Sequence, residues 1–242
     1  MDTFPLNQDA LRILLVRHGE TRENLKGILQ GQQEGELNRT GLRQAAALAE
    51  ALYRAPLDAC YASDLARAMD TAAIILAAGH RDLQPIPEPG LREWNLGELQ
   101  GRPHQEIRQS HPALMQSFRH EPAQDFSVPG GESPREFRQR VWDCLGKLAR
   151  QHRPGQQILL VTHGAALGKI FQLTTGPLPP ENRIPLPENA SLSLLQFHPG
   201  ENAWELVAWN QTSHLKGLPP PPTPVLTANP PPSLSSHARQ HC

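Results

Sequence analysis

Residues 13–19 read Ile13-Leu14-Leu15-Val16-Arg17-His18-Gly19, an apolar run that ends in a cluster of polar residues. The run has no polar alternation, which is typical of a strand buried on both faces of a parallel sheet. Residues 157–164 repeat the layout, because Gln157-Ile158-Leu159-Leu160-Val161-Thr162 is followed by His163-Gly164. Both segments therefore predict a strand that ends at the carboxyl edge of one sheet, where open α/β sheets bind their ligands.

Amphipathic segments between these two strands predict helices that cover the sheet. One helix is expected to run from an N-cap at Thr40 to about Arg54. A second is expected to begin at Ser63 or Asp64 and to end near Gly79. The predicted buried face of the first helix comprises Leu42, Ala45, Ala46, Ala49 and Leu52. Helices that alternate with buried strands indicate an α/β fold.

The third predicted helix has the clearest start signal in the chain. Residues 133–136 read Ser-Pro-Arg-Glu, a capping box with proline at the first helical position. The helix is expected to extend to about Gln151. Two late strands are predicted over residues 191–197 and 204–209, with a turn at Pro199-Gly200 between them.

Composition restricts the class of partner and the compartment. The 242 residues include 23 basic and 24 acidic side chains, a balance that argues against a nucleic-acid or membrane surface as the main partner. The three cysteines, Cys60, Cys144 and Cys242, are far apart and form no C-x-x-C, which favours a reducing compartment. Residues 1–10 lack the features of a secretory signal, and no window is apolar enough for a membrane span. We therefore expect a cytoplasmic protein.

The predicted strand ends bring together side chains that suit a phosphate ester. A guanidinium such as that of Arg17 matches phosphate oxygens with two parallel hydrogen bonds, and the glycine after His18 permits close backbone approach to a ligand. Arg67 lies in the predicted first turn of a helix, next to amide groups that attract anions. Glu93 lies beside Trp94 on a loop-like stretch. Arg-His-Gly alone would equally fit a polar strand end.

Five ordered blocks resemble the histidine phosphatase superfamily, also called the phosphoglycerate-mutase-like family, over about residues 13–209. The first is the R-H-G-E-T motif at residues 17–21, followed by Asn24 and Gln30-Gly31. The other blocks are Leu37-Asn38-Arg39-Thr40-Gly41 with Gln44-Ala45, the segment Ser63 to Ala72, Pro129-Gly130-Gly131-Glu132-Ser133, and Val161-Thr162-His163-Gly164. The resemblance is to the phosphatase branch. It implies an α/β three-layer sandwich with a mostly parallel central sheet, helices on both faces and a small cap insertion.

The resemblance also implies a role for each matching residue. His18 is the implied nucleophile that becomes a phosphohistidine, and Arg17, Arg67 and His163 surround the phosphoryl oxygens. Glu93 lies where the family has its proton donor. The remaining implied residues line the phosphate and substrate pocket and are Asn24, Gln30, Gly31 and Gly164, the last through its backbone amide. No metal and no cofactor is implied, because the two arginines and the second histidine are expected to supply fixed positive charge.

Three activities fit these residues. Hydrolysis of a small phosphorylated metabolite is favoured, because Glu93 is followed by Trp-Asn-Leu-Gly and only 69 residues separate it from His163. In this family, mutases that depend on 2,3-bisphosphoglycerate usually have the sequence E-R-x-Y-G at the acid. They also have a longer insertion between the acid and the second histidine. The third candidate is a catalytically silent module that binds phosphorylated partners. Sugar phosphates, phosphoglycerate, phosphoserine and a nucleotide-loop phosphate all remain candidate ligands.

Domain organisation follows from the same features. Residues 1–10 are predicted as an extension, residues 11–216 as the histidine phosphatase domain, and residues 217–242 as an unpacked proline-rich tail. The cap insertion is expected over about residues 101–128. Its basic side chains would either bind a second anionic group of the substrate or form a solvated charged face; they are Arg102, His104, Arg108, Arg119 and His120. No heptad or apolar edge indicates an oligomeric state.

Overall fold

A computed structural model describes residues 8–117, 126, 128–176 and 186–218. Within these residues six strands form one sheet. They are β1 (Leu11–Arg17), β2 (Ala59–Ala62), β3 (Ile86–Pro87), β4 (Gln157–Thr162), β5 (Leu192–His198) and β6 (Ala203–Gln211). Their order across the sheet is β3-β2-β4-β1-β5-β6. Strands β3, β2, β4 and β1 are parallel, whereas β5 and β6 are antiparallel to their neighbours.

The two strands that precede the histidines are direct neighbours in the sheet. Ile13 pairs with Ile158 and Val16 with Val161, so β1 and β4 end at the same level. The amide of His18 continues the ladder by donating to the carbonyl of Thr162 over 2.9 Å. The prediction of two buried parallel strands that end at one sheet edge is confirmed.

Seven α-helices lie in the described part of the chain. They are α1 (Arg22–Lys26), α2 (Arg39–Leu52), α3 (Ala66–Gly79), α4 (His104–Ser110), α5 (Pro112–Ser117), α6 (Pro134–Gln151) and α7 (Gly164–Thr175). Short 3₁₀ turns cover Pro89–Leu91, Gly97–Leu99 and Ser213–Leu215.

Successive residues of β1 point to opposite faces of the sheet and separate the core into two clusters. Ile13 and Leu15 belong to the cluster that contains Phe137 of α6. Leu14 and Val16 belong to the cluster that contains side chains of α2 and α3. Each fully buried aliphatic side chain of this size contributes about 1.5–3 kcal/mol of transfer free energy. Helices therefore cover both faces, and the predicted three-layer α/β architecture is confirmed.

The capping box at Ser133 is confirmed. Its hydroxyl accepts from the Glu136 amide over 3.2 Å, and the Glu136 carboxylate accepts from the Ser133 amide over 2.8 Å. The helix that follows ends at Gln151, as predicted, and buries Phe137, Val141, Leu145 and Leu148.

The predicted caps of α2 and α3 were wrong. Asn38, not Thr40, caps α2, because its side-chain oxygen accepts from the Gly41 amide over 2.8 Å. The helix consequently buries Leu48 and leaves Leu42 48% exposed, and Ala46 is exposed as well. Helix α3 begins after Leu65 without a side-chain cap.

The predicted cap insertion is described only in part. Helices α4 and α5 lie in it and bury Ile107 and Leu114 in the core. Arg119 and His120 lie outside the described residues, as do residues 1–7 of the predicted extension and residues 219–242 of the predicted tail.

Candidate active site

The structure brings the side chains of His18 and His163 together, although 144 residues separate them in the chain. Their ring centroids are 5.1 Å apart, and the ring planes are inclined by 59°. Both side chains are buried. Each histidine directly follows one of the two central parallel strands, so the sheet itself fixes their separation.

The ring of His18 is held as a neutral tautomer. Its Nδ1 lies 2.7 Å from the carbonyl oxygen of Gly19, which can only accept, so Nδ1 is the protonated nitrogen and Nε2 has the free lone pair. Burial lowers the pKa of His18 well below its ordinary value, and the positive charges of Arg67 and Arg17 lower it further. Nε2 is therefore available as a nucleophile at neutral pH.

Residues from three other parts of the fold contact the backbone of the loop that follows β1 and hold it in place. The amide of Gly19 donates to the Thr71 hydroxyl of α3 over 3.0 Å. The side-chain amide of Asn189 donates to the carbonyl of His18 over 3.0 Å. A Cβ at position 19 would lie 2.6 Å from the carbonyl oxygen of Gly41 in α2, so only glycine fits there. The backbone of His18 is thus fixed by these contacts as well as by its strand.

Arg67 is the second residue of α3 and is almost fully buried. Its Nη1 donates to the carbonyl of Gln33 over 2.8 Å, and its Nη2 donates to the carbonyl of Gly31 over 2.7 Å. Its buried Nε has no partner among the described residues. Burial lowers the pKa of Arg67 to about 10, so the guanidinium still has its charge at pH 7.

Arg17, the last residue of β1, is held in a similar way. Its Nη1 donates to the carbonyl of Pro187 over 2.8 Å, while its buried Nε has no partner within the described part of the chain. A Cβ at Gly164 would lie 3.4 Å from the guanidinium carbon. The Arg17 guanidinium therefore lies close to the start of α7.

His163 corrects one expectation. Its Nε2 lies 2.8 Å from the hydroxyl of Ser63, and its buried Nδ1 has no partner among the residues described. Burial lowers the pKa of His163 well below its ordinary value, and the charges of Arg67 and Arg17 contribute to the shift. The ring is neutral in this structure, so the two guanidiniums provide the positive charge without it.

Buried nitrogen atoms without partners point to an anion at this place. Native proteins rarely leave buried polar atoms unpaired, because each costs about 1–3 kcal/mol. Here Arg17 and Arg67 each leave Nε unpaired, and His163 leaves Nδ1 unpaired. Arg17 and Arg67 line the cavity together with His18, so an oxyanion there would lie near both guanidiniums.

Glu93 lines the same cavity, whereas the nearby acids Glu88, Glu98 and Glu106 do not. One carboxylate oxygen accepts from the amide of Trp94 over 2.8 Å, and the other accepts from the amide of Ala165 in α7 over 3.0 Å. Two long side chains hold its backbone, because Arg140 and Gln32 each donate to the Glu93 carbonyl over 3.0 Å.

The other predicted pocket residues also lie at the cavity. Gln30 accepts from the Thr21 hydroxyl over 2.9 Å, and Asn24 accepts from the side chain of Asn189 over 3.2 Å. Gly31 has a φ of 56°, a left-handed conformation that favours glycine, and its carbonyl accepts from Arg67. These residues build the wall that holds the two arginines, and substrate contact by Asn24 and Gln30 stays a prediction.

The site lies in a cavity of about 300 Å³. Its polar end contains His18 with Arg17, Arg67 and Glu93. Its other lining residues are Asn24, Ile28, Leu29, Gln30, Gly31, Leu96, His104, Arg108, Met115, Gly164, Ala165 and Leu186.

Comparison with known protein families shows to which family the chain belongs. The family model for the histidine phosphatase superfamily (branch 1) matches residues 13–212. The chain belongs to the histidine phosphatase superfamily. Relatives of this histidine phosphatase include enzymes named for phosphatase and for mutase activity.

The metal-independent phosphoserine phosphatase of Arabidopsis thaliana is 34% identical over 215 residues, which are 88% of this chain and 87% of the relative. The probable phosphoglycerate mutase GpmB of Proteus mirabilis is 34% identical over 215 residues, which are 86% and 96% of the two chains. A mycobacterial glucosyl-3-phosphoglycerate phosphatase, solved in complex with VO3, has a TM-score of 0.69 at 29% identity, covering 83% of this chain and 99% of its own.

Several residues that support this histidine phosphatase site were missed in the sequence. Ser63 was considered as a helix cap and as the first residue of a motif block, and its contact with His163 was not predicted. Arg140 lies in a helix that was assigned from its capping box, and Asn189 lies in no recognised motif. No local signal distinguishes Asn189 from an ordinary loop residue.

The described residues contain neither a metal-binding group nor a membrane-spanning helix. No group of three or more His, Cys, Asp or Glu side chains in this part of the histidine phosphatase could hold a metal ion. In the same residues, every helix is too short or too polar to cross a membrane.

Proposed function

We propose that this protein hydrolyses phosphate monoesters of small metabolites through a phosphohistidine on His18, without a metal. The observation that supports the proposal best is that two guanidiniums meet a neutral imidazole at one cavity. Arg17 and Arg67 line this cavity beside His18, whose Nε2 has a free lone pair. A phosphoryl group has the charge and the equatorial oxygens to use them.

In the first step the lone pair of His18 Nε2 forms a bond to phosphorus while the bond from phosphorus to the ester oxygen breaks. Glu93 in its acid form donates a proton to the leaving oxygen, an effect typically worth about 10²–10⁴-fold in rate. Arg17 and Arg67 stabilise the charge on the equatorial oxygens. The alcohol product then leaves.

In the second step a water molecule attacks the phosphorus atom of the phosphohistidine. The carboxylate of Glu93 takes the proton of that water, the phosphorus–nitrogen bond breaks, and inorganic phosphate is released. Glu93 regains its proton and His18 its lone pair, so the protein is ready for another turnover. The fixed position of the Glu93 backbone under Arg140 and Gln32 suits both proton transfers.

Hydrolysis is favoured over the mutase reaction by the short spacing after the acid. Only 69 residues separate Glu93 from His163, and the acid is followed by Trp94 rather than by arginine. A mutase has to keep water away from the phosphohistidine, and a longer covering insertion would serve that purpose. The mutase reaction is the second candidate, because relatives bear mutase names.

Cavity size favours a small substrate. About 300 Å³ lies at the lower end of the usual range for ligand pockets, about 300–1,000 Å³. Relatives and neighbours named for phosphoserine and for glucosyl-3-phosphoglycerate support a phosphorylated metabolite as the substrate class.

A panel of phosphate esters assayed with EDTA tests this function. We expect release of inorganic phosphate from at least one small ester at a rate that EDTA does not change. Mutase turnover of 3-phosphoglycerate with 2,3-bisphosphoglycerate is measured in parallel. Mutase turnover well above hydrolysis would contradict the hydrolase proposal, and phosphate binding without any turnover would favour a silent binding module.

A further inference from the structure

Glu93 lies on a segment without regular structure. Residues 92–96 belong to no helix and to no strand. By contrast, His18 and His163 directly follow strands of the sheet, and Arg67 lies in the first turn of α3. A general acid has to lie within about 2.6–3.2 Å of the oxygen that it protonates. Contacts from outside the segment must therefore hold Glu93 at such a position.

Arg140 of α6 binds the backbone on the amino-terminal side of this segment. Its Nη1 donates to the carbonyls of Gly90 over 3.1 Å and of Arg92 over 2.9 Å. Its Nη2 donates to the carbonyl of Glu93 over 3.0 Å. Nε and Nη2 also donate to the two carboxylate oxygens of Glu132, over 2.6 and 2.8 Å. Arg140 thus makes five hydrogen bonds, as many as a guanidinium has N–H groups, and lysine could not make them all.

Glu132 binds the backbone on the carboxyl-terminal side of the segment. Its carboxylate accepts from the Asn95 amide over 3.0 Å, and its amide donates to the Asn95 carbonyl over 2.9 Å. Its carbonyl accepts from the indole of Trp94 over 2.9 Å. The side chains of Arg140 and Glu132 are only 22% and 20% exposed, so solvent screens their ion pair less than it would a surface pair.

Two glycines allow this close approach. A Cβ at Gly97 would lie 2.0 Å from the carbonyl oxygen of Pro129. A Cβ at Gly131 would lie 2.7 Å from the carbonyl oxygen of Asn95. The Pro-Gly-Gly-Glu-Ser block at residues 129–133 therefore packs directly against the segment of the acid, although none of its residues lines the cavity.

Aromatic packing fixes the residue that follows the acid. Trp94 is buried and stacks on Phe137 of α6, with ring centroids 5.3 Å apart and planes inclined by 9°. The guanidinium carbon of Arg140 lies 5.2 Å from the centre of the Phe137 ring. Residues three apart on a helix lie on the same face, so α6 presents both side chains to the segment of the acid.

We propose that Arg140 and Glu132 are positioning residues for the proton transfers of Glu93. The inference rests on the proposed function, in which Glu93 donates a proton to the leaving oxygen. Neither positioning residue lines the cavity. They act by holding the amides and carbonyls beside Glu93, so that its carboxyl group stays at the Ala165 amide and at the cavity. Without the pair, a bound ester loses its proton donor and retains its two arginines.

Two aryl esters that differ in one ring substituent separate this role from a merely structural one. p-Nitrophenolate leaves readily without a proton, whereas the more basic phenolate depends on a general acid. Release of the two phenols is followed by rapid quench in a single turnover, so the second step does not contribute. A smaller folded fraction would lower both rates alike, so the ratio of the two rates reports on the acid.

We expect Arg140→Gln to lower the rate for phenyl phosphate at least about tenfold and the rate for p-nitrophenyl phosphate less than about threefold. Glu132→Gln retains the size of the side chain and removes its charge, and it should change the ratio in the same direction. It decides the question by itself where Arg140→Gln does not fold. Arg150→Gln is the matched control, an exposed arginine of the same helix that should leave the ratio unchanged. Equal losses on the two esters would overturn the proposal.

Failure of the positioning role is distinguishable from failure of the hydrolase. Phosphate release from p-nitrophenyl phosphate by the unmodified chain tests hydrolysis, and a ratio unaffected by Glu93→Gln would contradict the acid itself. A ratio that changes in Glu93→Gln but in neither Arg140→Gln nor Glu132→Gln contradicts the positioning role alone. Arg140→Gln added to Glu93→Gln should change the ratio no further, and an additional change would show that Arg140 acts by another route.

Discussion

Two imidazoles in the site lie in surroundings that disfavour their charged forms. His18 and His163 are both buried, and both lie close to the guanidiniums of Arg17 and Arg67. Burial removes the water that would solvate an imidazolium, and the arginines repel it. The same two effects that keep the nucleophile unprotonated make the native state sensitive to acid.

Folding stability should therefore fall with pH below about 6.5. In the unfolded chain both histidines take up protons there, while in the native state they stay neutral because their pKa is lowered. The unfolded state then binds more protons, and each histidine reduces the free energy of unfolding by about 1.4 kcal/mol per pH unit. The loss continues until the pH reaches the pKa of the native state.

Urea denaturation between pH 5 and pH 7 measures this slope, and His163→Gln is the matched variant. Glutamine retains a polar contact for Ser63 but does not titrate. We expect it to reduce the slope at the acid end of this range by about 1.4 kcal/mol per pH unit, the share of one histidine. A slope equal to that of the unmodified chain would exclude His163 as a buried neutral group.

Sequence motifs predicted the positions of individual residues better than they predicted the contacts of those residues. His18, Arg67 and His163 were placed correctly because each follows a recognisable strand or opens a helix. The partners of these residues were not predicted. Ser63 and Asn189 lie in other segments of the chain, and only the packing around the sheet brings those segments to the site. The charge of His163 was also misjudged, since the extent of its burial is a property of the folded molecule.

At the scale of elements, the start of α2 and the loop after His18 form one packed unit. A Cβ at Gly41, the third residue of α2, would lie 2.1 Å from the carbonyl oxygen of Glu20. The Asn38 side chain that caps the helix also donates to the carboxylate of Glu20 over 2.7 Å. The helix can approach the loop this closely only because position 41 has no side chain.

Gly41→Ala should destabilise the protein by about 1–3 kcal/mol, the usual effect of an overpacked methyl group. Helix propensity alone predicts the opposite sign, because alanine is favoured over glycine by about 1 kcal/mol. Gly146→Ala in α6 is the matched control, since its Cβ would meet only the flexible end of Arg150. Thermal melts of both variants decide between the two effects, and a Gly41→Ala variant as stable as Gly146→Ala would contradict the packing argument.

Local sequence patterns were not sufficient to predict the first residue of α2. Asn38 and Thr40 are both good N-cap residues, and the intrinsic preference favours asparagine only slightly over threonine. The contact of Asn38 with Glu20 makes the choice in the folded protein. By contrast, the capping box at Ser133 contains both of its partners within four residues, so it could be predicted completely.

At the scale of the whole molecule, the parallel part of the sheet assembles a site from distant segments. Strands β2, β4 and β1 are neighbours, and they lead into the segments that contain Arg67, His163 and His18. Apolar runs predicted β1 and β4 one at a time. The order of the strands was not predicted, because hydrophobic pattern alone does not specify which strands pair.

Within the cap region, packing separates two arginines that look equivalent in the sequence. Arg102 pairs with Glu106 on the surface, while Arg108 faces the cavity because burial of Ile107 sets the rotation of α4. The sequence predicted a basic cap but could not assign a function to either side chain.

Phosphate labelling of the full chain tests the central claim most directly. The protein is mixed with a ³²P-labelled ester that it hydrolyses, quenched with base during turnover, and the label is mapped. We predict a base-stable, acid-labile phosphate on His18 that is absent from His18→Ala. Label that survives the His18→Ala change, or that resists acid, would contradict the account.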